Sequence, residues 1–275
     1  DCSDGTTAGA VVLKKFPDAQ LFPMAHNGKK EDLDPVLNIL DSETEIYTVD
    51  CVLGVKEILA LGYKVTSLDH HIGAKEEFEN IAKQNPNFTF VFDNNKSGAS
   101  LAWTYFFPDR DVPEFIKLVE DGDLFIMKYD RDTIDVGNYL SMYRDDPKTV
   151  LGFIEQDLGQ IKEKGSIISL YADIQINNQL KLSPINIKIG DYVVPAYCIS
   201  SDYRSVCGSI LSGTQNKAVS LFGIDGENVK ISFRSKDGQT PSALELATIL
   251  GGGGHNKAAA VFISLKKFLS MIVQD

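Results

Sequence analysis

Three short apolar runs, Glu45-Ile-Tyr-Thr-Val49, Lys64-Val-Thr-Ser-Leu68 and Phe88-Thr-Phe-Val-Phe92, are separated by helical stretches rather than by turns. Between them lie Val55–Leu61 and residues 74–83, both with helical spacing. Strands this far apart cannot close as hairpins, so they predict a parallel sheet with helices on both faces. The rhythm extends on either side. Residues 19–24 (Ala-Gln-Leu-Phe-Pro-Met) read as a short strand, and Glu31 to Leu40 has helical spacing. Ser97 to Phe107 reads as an apolar helix and Val112–Glu120 as another. Thr6 to Lys15 also reads as a helix, with Asp4-Gly5 at its start. In such a fold a strand precedes that helix, and it is expected upstream of residue 1.

The character changes near residue 150. Val150 to Leu170 is a mixed, charged helical stretch that reads as a connector. Paired runs follow: Ile185–Ile189 with Tyr192–Tyr197 across Gly190-Asp191, and Ala218–Phe222 with Val229–Phe233 across Asp225-Gly226. These are hairpin signals. A helix at Ser242–Leu250 leads into Gly251-Gly-Gly-Gly-His255. The expected fold class is therefore an α/β protein: a parallel doubly wound sheet over residues 1–150, a helical connector at 151–182, and a smaller α+β domain at 183–275.

With 43% hydrophobic and 24% charged residues, the chain has the composition of a soluble globular protein. No apolar run approaches the roughly 18 residues that span a bilayer. The four cysteines, Cys2, Cys51, Cys198 and Cys207, form no CxxC pair. That argues against thiolate zinc and for a reduced, cytoplasmic protein. A net charge of −11 argues against a protein that coats long duplex DNA, but not against a small anionic substrate.

The acids fall where chemistry is done in such sheets. Ligands bind outside the carboxyl ends of parallel strands, where Asp50 closes one run and Asp69-His70-His71 closes the next. Asp1 and Asp4 sit in the first βα turn, and Asp121 and Asp123 follow a helix. Taken singly, these last four read more readily as solvated loop residues or helix caps. Together the acids repel one another unless cations lie among them. Oxygen and imidazole donors suit Mn²⁺ or Mg²⁺. Two such ions, roughly 3.5–4 Å apart, form a clamp for phosphoryl chemistry.

A second constellation is Gly251-Gly252-Gly253-Gly254-His255-Asn256-Lys257. Consecutive glycines let backbone N–H groups approach an anion, and His255 adds a donor. A linker is the alternative, but the run continues into Ala-Ala-Ala-Val-Phe. Arg234, at a strand end, reads either as a bidentate phosphate grip or as a surface ion pair. Ser97 reads as a helix cap more readily than as an anion contact. His26 is a candidate for the rim of the site.

In the order and spacing of these elements the chain resembles the DHH/DHHA1 phosphoesterase superfamily. That group includes RecJ-type exonucleases, nano-RNases and cyclic-dinucleotide phosphodiesterases, with exopolyphosphatases as relatives. Asp1-Cys-Ser-Asp4-Gly5 is similar to the first motif, Asp50 to the second, Asp69-His70-His71 to the signature, and Asp121 to the fourth. Ser232-Phe-Arg-Ser235 with Gly251–His255 is similar to the DHHA1 substrate motif. The family's first motif begins with a histidine, whose position falls before residue 1. Its aspartates also stand one residue closer together in many members than Asp1 and Asp4 do.

The resemblance implies that Asp4, Asp50, His70 and Asp121 hold one divalent cation. Asp1, Asp50 and a histidine would hold the second. Both ions are expected to be Mn²⁺, with Mg²⁺ as the alternative. It implies that His71 contacts the phosphate or attacking hydroxide and that Asp69 orients the histidines. Arg234, Gly252, Gly253, Gly254 and His255 would bind substrate. The expected reaction is hydrolysis of phosphodiester bonds in short oligonucleotides or small nucleotides by a hydroxide activated between two metals. An exopolyphosphatase-like phosphohydrolase and a non-catalytic nucleotide-binding regulator are the alternatives. No membrane partner is expected, and a homodimer is compatible with the sequence.

Overall fold

The computed structural model describes residues 2–24 and 30–273. The chain gathers into two compact units, Asp1–Ser169 and Leu170–Asp275.

The first unit is built on three parallel strands in the order β1 (Ile46–Val49), β2 (Val65–Asp69) and β3 (Phe88–Phe92). Ile46 pairs with Val65, Val49 with Leu68, and Asp69 with Phe92. Because side chains alternate along a strand, the sheet feeds two apolar clusters. On one face Ile46, Val65, Phe88 and Phe90 pack with Val55, Ile58 and Leu59 of α3 (Val55–Ala60) and Phe78 of α4 (Ile72–Gln84). On the other, Tyr47, Val49, Leu68 and Val91 meet α1 (Ser3–Lys15) and α5 (Gly98–Phe106). Behind these lie α6 (Glu114–Asp123), α7 (Arg131–Leu140), α8 (Pro147–Glu155) and the long α9 (Leu158–Gln179). The expected parallel sheet, wrapped on both faces, is thus observed.

Local chemistry fixes the two helices that matter most. α1 starts at Cys2, whose sulfur accepts the Gly5 N–H at 3.1 Å, and it ends on Lys14 and Lys15. Basic residues there complement the helix dipole. α5 is capped by Ser97, whose hydroxyl accepts the Ser100 N–H at 3.3 Å, so the capping reading of Ser97 holds. Almost all of α5 is buried, Trp103 included.

Two expectations fail. Residues 19–24 carry no strand. Leu21 packs against the main core of the first unit as irregular chain, and Pro23 has no N–H to give to a ladder. The helix expected from Glu31 to Leu40 shrinks to a 3₁₀ turn at Lys30–Leu33 and one turn, α2 (Asp34–Leu37), with Pro35 inside it.

The second unit is a six-stranded sheet in the order β4-β5-β6-β7-β9-β8. Its strands are β4 (Ile185–Ile189), β5 (Tyr192–Cys198), β6 (Val219–Asp225), β7 (Asn228–Arg234), β8 (Gly253–His255) and β9 (Ala258–Ser264). Both expected hairpins form, β4 with β5 and β6 with β7. Only β5 and β6 run parallel, joined by α10 (Arg204–Thr214). One face packs Val229, Ile231 and Phe233 against α11 (Ala243–Ile249) and α12 (Leu265–Met271). The other packs Tyr197, Val219 and Leu221 against Cys207 and Leu211 of α10 and against Ile176 of α9. The fold class is therefore the one expected, α/β with a second α+β unit. No described helix is long and apolar enough to cross a membrane.

Candidate metal centre

The carboxyl end of the parallel sheet gathers ionisable side chains from four segments. Asp4 comes from the first turn of α1, Asp50 follows β1, and Asp69 is the last residue of β2, with His70 and His71 next. Asp123 closes α6. His70 is the hub. Its Nε2 lies 3.2 Å from Asp50 Oδ1, 3.6 Å from Asp123 Oδ2 and 4.0 Å from Asp4 Oδ2. His71 Nδ1 is 3.8 Å from the same Asp50 oxygen. Two sets can supply ligand atoms within 4.8 Å of one another: Asp50, His70 and His71, and Asp4, His70 and Asp123.

Asp69 does not reach into these sets. It is fully buried, and its Oδ1 accepts the His71 backbone N–H at 2.7 Å and lies 2.8 Å from His71 Nδ1. A carboxylate in that position favours the Nδ1–H form of the ring and turns Nε2 outward. The His71 side chain is 44% exposed.

Asp4 is held by the N-terminus of α5: Gly98 N–H donates to its Oδ2 at 2.6 Å and Ala99 N–H to its Oδ1 at 3.1 Å. Nearby, Glu120 accepts the Ser97 N–H at 3.0 Å, which ties α5 to α6.

The charge balance shows what the cluster lacks. Burial first, then the Asp50 and Asp123 carboxylates, push Asp4 up to about 7. The hydrogen bond with Asp50 holds His70 up at about 9, against the opposing effect of burial and with help from Asp123 and Asp4. Burial and Asp50 also raise Asp123, while His70 opposes them. The cluster keeps protons because its negative charges crowd one another. Divalent cations would take the place of those protons, and the donor set of carboxylate oxygens and imidazole nitrogens is one that Mn²⁺ or Mg²⁺ accepts. The residues present therefore fit the cations implied by the sequence.

Of the two acids of α6, the structure brings Asp123 rather than the expected Asp121 to His70. Asp121 is buried, and both its carboxylate oxygens are taken up by donors from Lys128, Tyr129 and Thr133. Oδ1 accepts the Lys128 N–H at 2.8 Å, and Oδ2 accepts the Tyr129 N–H at 3.3 Å together with the Thr133 hydroxyl. Burial works to raise this carboxyl, yet the Thr133, Lys128 and Tyr129 donors outweigh it and hold it below the usual range. Residues two apart on a helix point roughly 200° apart, so Asp121 and Asp123 cannot serve the same cluster. Asp123 is the acid brought to His70.

Asp1 and His26 lie outside the described residues. The remaining expected residues are in the second unit. Arg234 ends β7, with Nη1 donating to Phe233 O at 2.9 Å and Nη2 lying 3.5 Å from Ser205 Oγ. Partial burial lowers its pKa. The glycine run is more committed than an open anion cradle. Gly251 has φ +90, and its N–H donates to Thr248 O at 3.0 Å while Gly252 N–H donates to Ala247 O at 2.8 Å. That is the left-handed stop of α11. Gly253, Gly254 and His255 then pair with Ala260, Ala259 and Ala258 of β9. A Cβ on Gly254 would stand 2.5 Å from Ala259 Cα, and one on Gly252 would stand 2.7 Å from Val261 Cβ. His255 is exposed on that edge strand.

Sequence reasoning passed over two residues at the first site, Cys2 and Gly98. Cys2 Sγ donates to Asp50 Oδ2 at 3.1 Å. Gly98 Cα lies against Asp50, where an added Cβ would stand 2.5 Å from Asp50 Cβ. Asx-type or capping patterns could have flagged Cys2; nothing local flags the contact of Gly98 with a residue 48 positions earlier.

No protein-family model matches the chain. It is 25% identical over 290 residues to the uncharacterized protein R106 of Acanthamoeba polyphaga mimivirus, covering 96% of this chain and 66% of that relative. The fold is shared with a solved structure, the pGpG-specific phosphodiesterase PggH from Vibrio cholerae, at a TM-score of 0.55 and 16% identity. That match covers 97% of this chain and 92% of that one. An exopolyphosphatase-related protein from Bacteroides fragilis gives a TM-score of 0.41 at 16% identity, over 82% of this chain and 69% of that one. The likeness to PggH is one of fold.

Proposed function

We propose that the chain is a DHH/DHHA1-type, divalent-metal-dependent phosphoesterase that hydrolyses phosphodiester bonds in short oligonucleotides or small nucleotides. One observation carries the reading: His70 Nε2 lies within 4.0 Å of three carboxylates, on Asp4, Asp50 and Asp123, at the carboxyl end of a parallel sheet. Cations bound there would ionise water near neutral pH and offset charge on the phosphate. Asp4, Asp50, His70 and Asp123 would hold them, with Asp50 placed toward both histidines. The α5 N-terminus supports this by fixing both Asp4 oxygens, so that little reorganisation is needed when a cation arrives.

His71 has a separate task. With Asp69 on Nδ1, its outward Nε2 donates a hydrogen bond to a phosphate oxygen of the substrate. The Asp69 contact raises the His71 pKa, which favours the doubly protonated ring that such donation needs. On the second unit, Arg234 and His255 are the residues that the motif likeness assigns to phosphate or base contacts. A nucleotide substrate is favoured over inorganic polyphosphate by the likeness of Ser232–Ser235 and Gly251–His255 to the nucleotide-handling motif.

The test is hydrolysis with Mn²⁺ of pGpG, di- to pentanucleotides, 3′-phosphoadenosine 5′-phosphate and polyphosphate. Cleavage of at least one phosphodiester, lost on chelation, is expected. Activity confined to polyphosphate would remove the nucleotide part. A double His70→Ala, His71→Ala variant with unchanged turnover would remove the site.

A further inference from the structure

Asp50 is the most constrained side chain of the centre. Its backbone has φ +54, in the left-handed region that non-glycine residues seldom adopt. Such a conformation persists only where its surroundings over-determine it. Three contacts do so. On one side, Cys2 Sγ donates to Oδ2 at 3.1 Å. The same sulfur accepts the Gly5 N–H at 3.1 Å, so one thiol both caps α1 and grips the carboxylate. On the other side Gly98 Cα closes the gap. A Cβ there would stand 2.5 Å from Asp50 Cβ, 3.0 Å from Asp50 Cγ and 3.0 Å from Asp4 Oδ2. Gly5 is close as well, since its added Cβ would stand 3.0 Å from Asp50 Oδ2. With Oδ2 taken by the thiol, Oδ1 is the oxygen left for His70, at 3.2 Å.

We infer that Cys2 and Gly98 are positioning residues that together fix Asp50 for cation binding. The thiol sets which carboxylate oxygen faces the histidines, and the missing side chain at Gly98 lets Asp4 and Asp50 approach each other. This rests on the metal-dependent reading of the site.

The experiment is calorimetric titration with Mn²⁺ alone, on the 275-residue chain and three variants, each checked by circular dichroism and melting temperature. Cys2→Ala removes the donor and is expected to weaken Mn²⁺ binding on the order of tenfold, the loss of one hydrogen bond to a charged group. Cys2→Ser keeps a donor and a cap and is expected to restore affinity to within about threefold of the parent. Gly98→Ala is expected to weaken binding on the order of a hundredfold or more, because the carboxylates must separate. Where Gly98→Ala does not fold, the pair at Cys2 decides. Parent-like Mn²⁺ affinity in Cys2→Ala, or equal weakening in Cys2→Ala and Cys2→Ser, overturns the assignment while the parent still binds. A parent chain that binds Mn²⁺ but cleaves no phosphodiester overturns the activity and leaves the assignment standing. A parent chain that binds no Mn²⁺ overturns both.

Discussion

The two units solve opposite problems. The Leu170–Asp275 unit has strands of up to seven residues and apolar clusters on both faces of its sheet, with Val229, Ile231 and Phe233 fully buried along one strand. The Asp1–Ser169 unit has strands of four or five residues, and its sheet ends in a knot of carboxylates and histidines. Among the described residues, the non-glycine positions with positive φ are Asp50, Phe125, Met127 and Asp130 in the first unit, and Asn216 alone in the second. Three of those in the first unit lie between the paired acids of α6 and the start of α7. One unit is optimised as a packed solid. The other carries strain and unbalanced charge where ligands are to bind, a cost that the rest of its core must offset.

The comparison can be broken most sharply at Asp50. Asp50→Asn keeps the shape and tolerates the left-handed backbone, but it removes a charge from the cluster. Phosphodiester hydrolysis is expected to fall by about a thousandfold, ~4 kcal/mol in the barrier. The cation-free chain should keep its melting temperature to within a few degrees. A large loss of stability with intact turnover would mean that Asp50 is structural.

The converse substitution belongs to the second unit. Phe233→Ala, at a fully buried position, should cost about 3–5 kcal/mol in chemical denaturation. Mn²⁺ affinity of the folded fraction should be unchanged. Altered Mn²⁺ affinity would show that packing in the second unit bears on the metal centre.

Next come the paired acids of α6. Asp121→Ala leaves the Lys128 and Tyr129 N–H groups and the Thr133 hydroxyl without their acceptor. A stability loss of about 2 kcal/mol is expected, with Mn²⁺ bound by those molecules that fold. Asp123→Asn should do the reverse, weakening Mn²⁺ on the order of tenfold with little change in stability. If the two variants exchange phenotypes, the helix has been read in the wrong register.

The gentlest test is pH. Asp4 is raised from 3.8 to about 7 and His70 from 6.5 to about 9. Each therefore binds its proton more tightly in the folded chain. The stability they contribute is complete below their unfolded values and is lost as pH rises through the folded ones. With a chelator present, melting temperature should decline by a few degrees between about pH 4 and pH 9. Saturating Mn²⁺ should flatten that slope, since the cation takes over the protons' role. A chelated protein that is most stable at high pH would contradict the electrostatics of the cluster.

The parts of this architecture that could be read in advance are those written in local pattern. Short apolar runs ending in Asp50 and in Asp69-His70-His71 announced both the sheet and the edge where ligands bind. The hairpins of the second unit were legible from Gly190-Asp191 and Asp225-Gly226. What escaped was set by tertiary approach. Asp121 and Asp123 look alike along the chain, and only the rotation of α6 against its neighbours separates the loop clasp from the acid beside His70. Gly98 read as an ordinary residue of a helix start until Asp50 was found against its Cα. At 19–24 a run containing Leu21 and Phe22 mimicked a strand, because burial of such side chains does not require a hydrogen-bonded ladder.

The left-handed backbone at Asp50 also bears on how such a chain can drift. Beyond the native residue, a φ of +54 admits asparagine and glycine with little penalty and rejects β-branched or bulky replacements. A lineage that abandoned the chemistry would thus be channelled at this position. Asparagine or glycine would accumulate there, while the fold around it persisted. The backbone angle, rather than the carboxylate, would be the last trace of the lost activity.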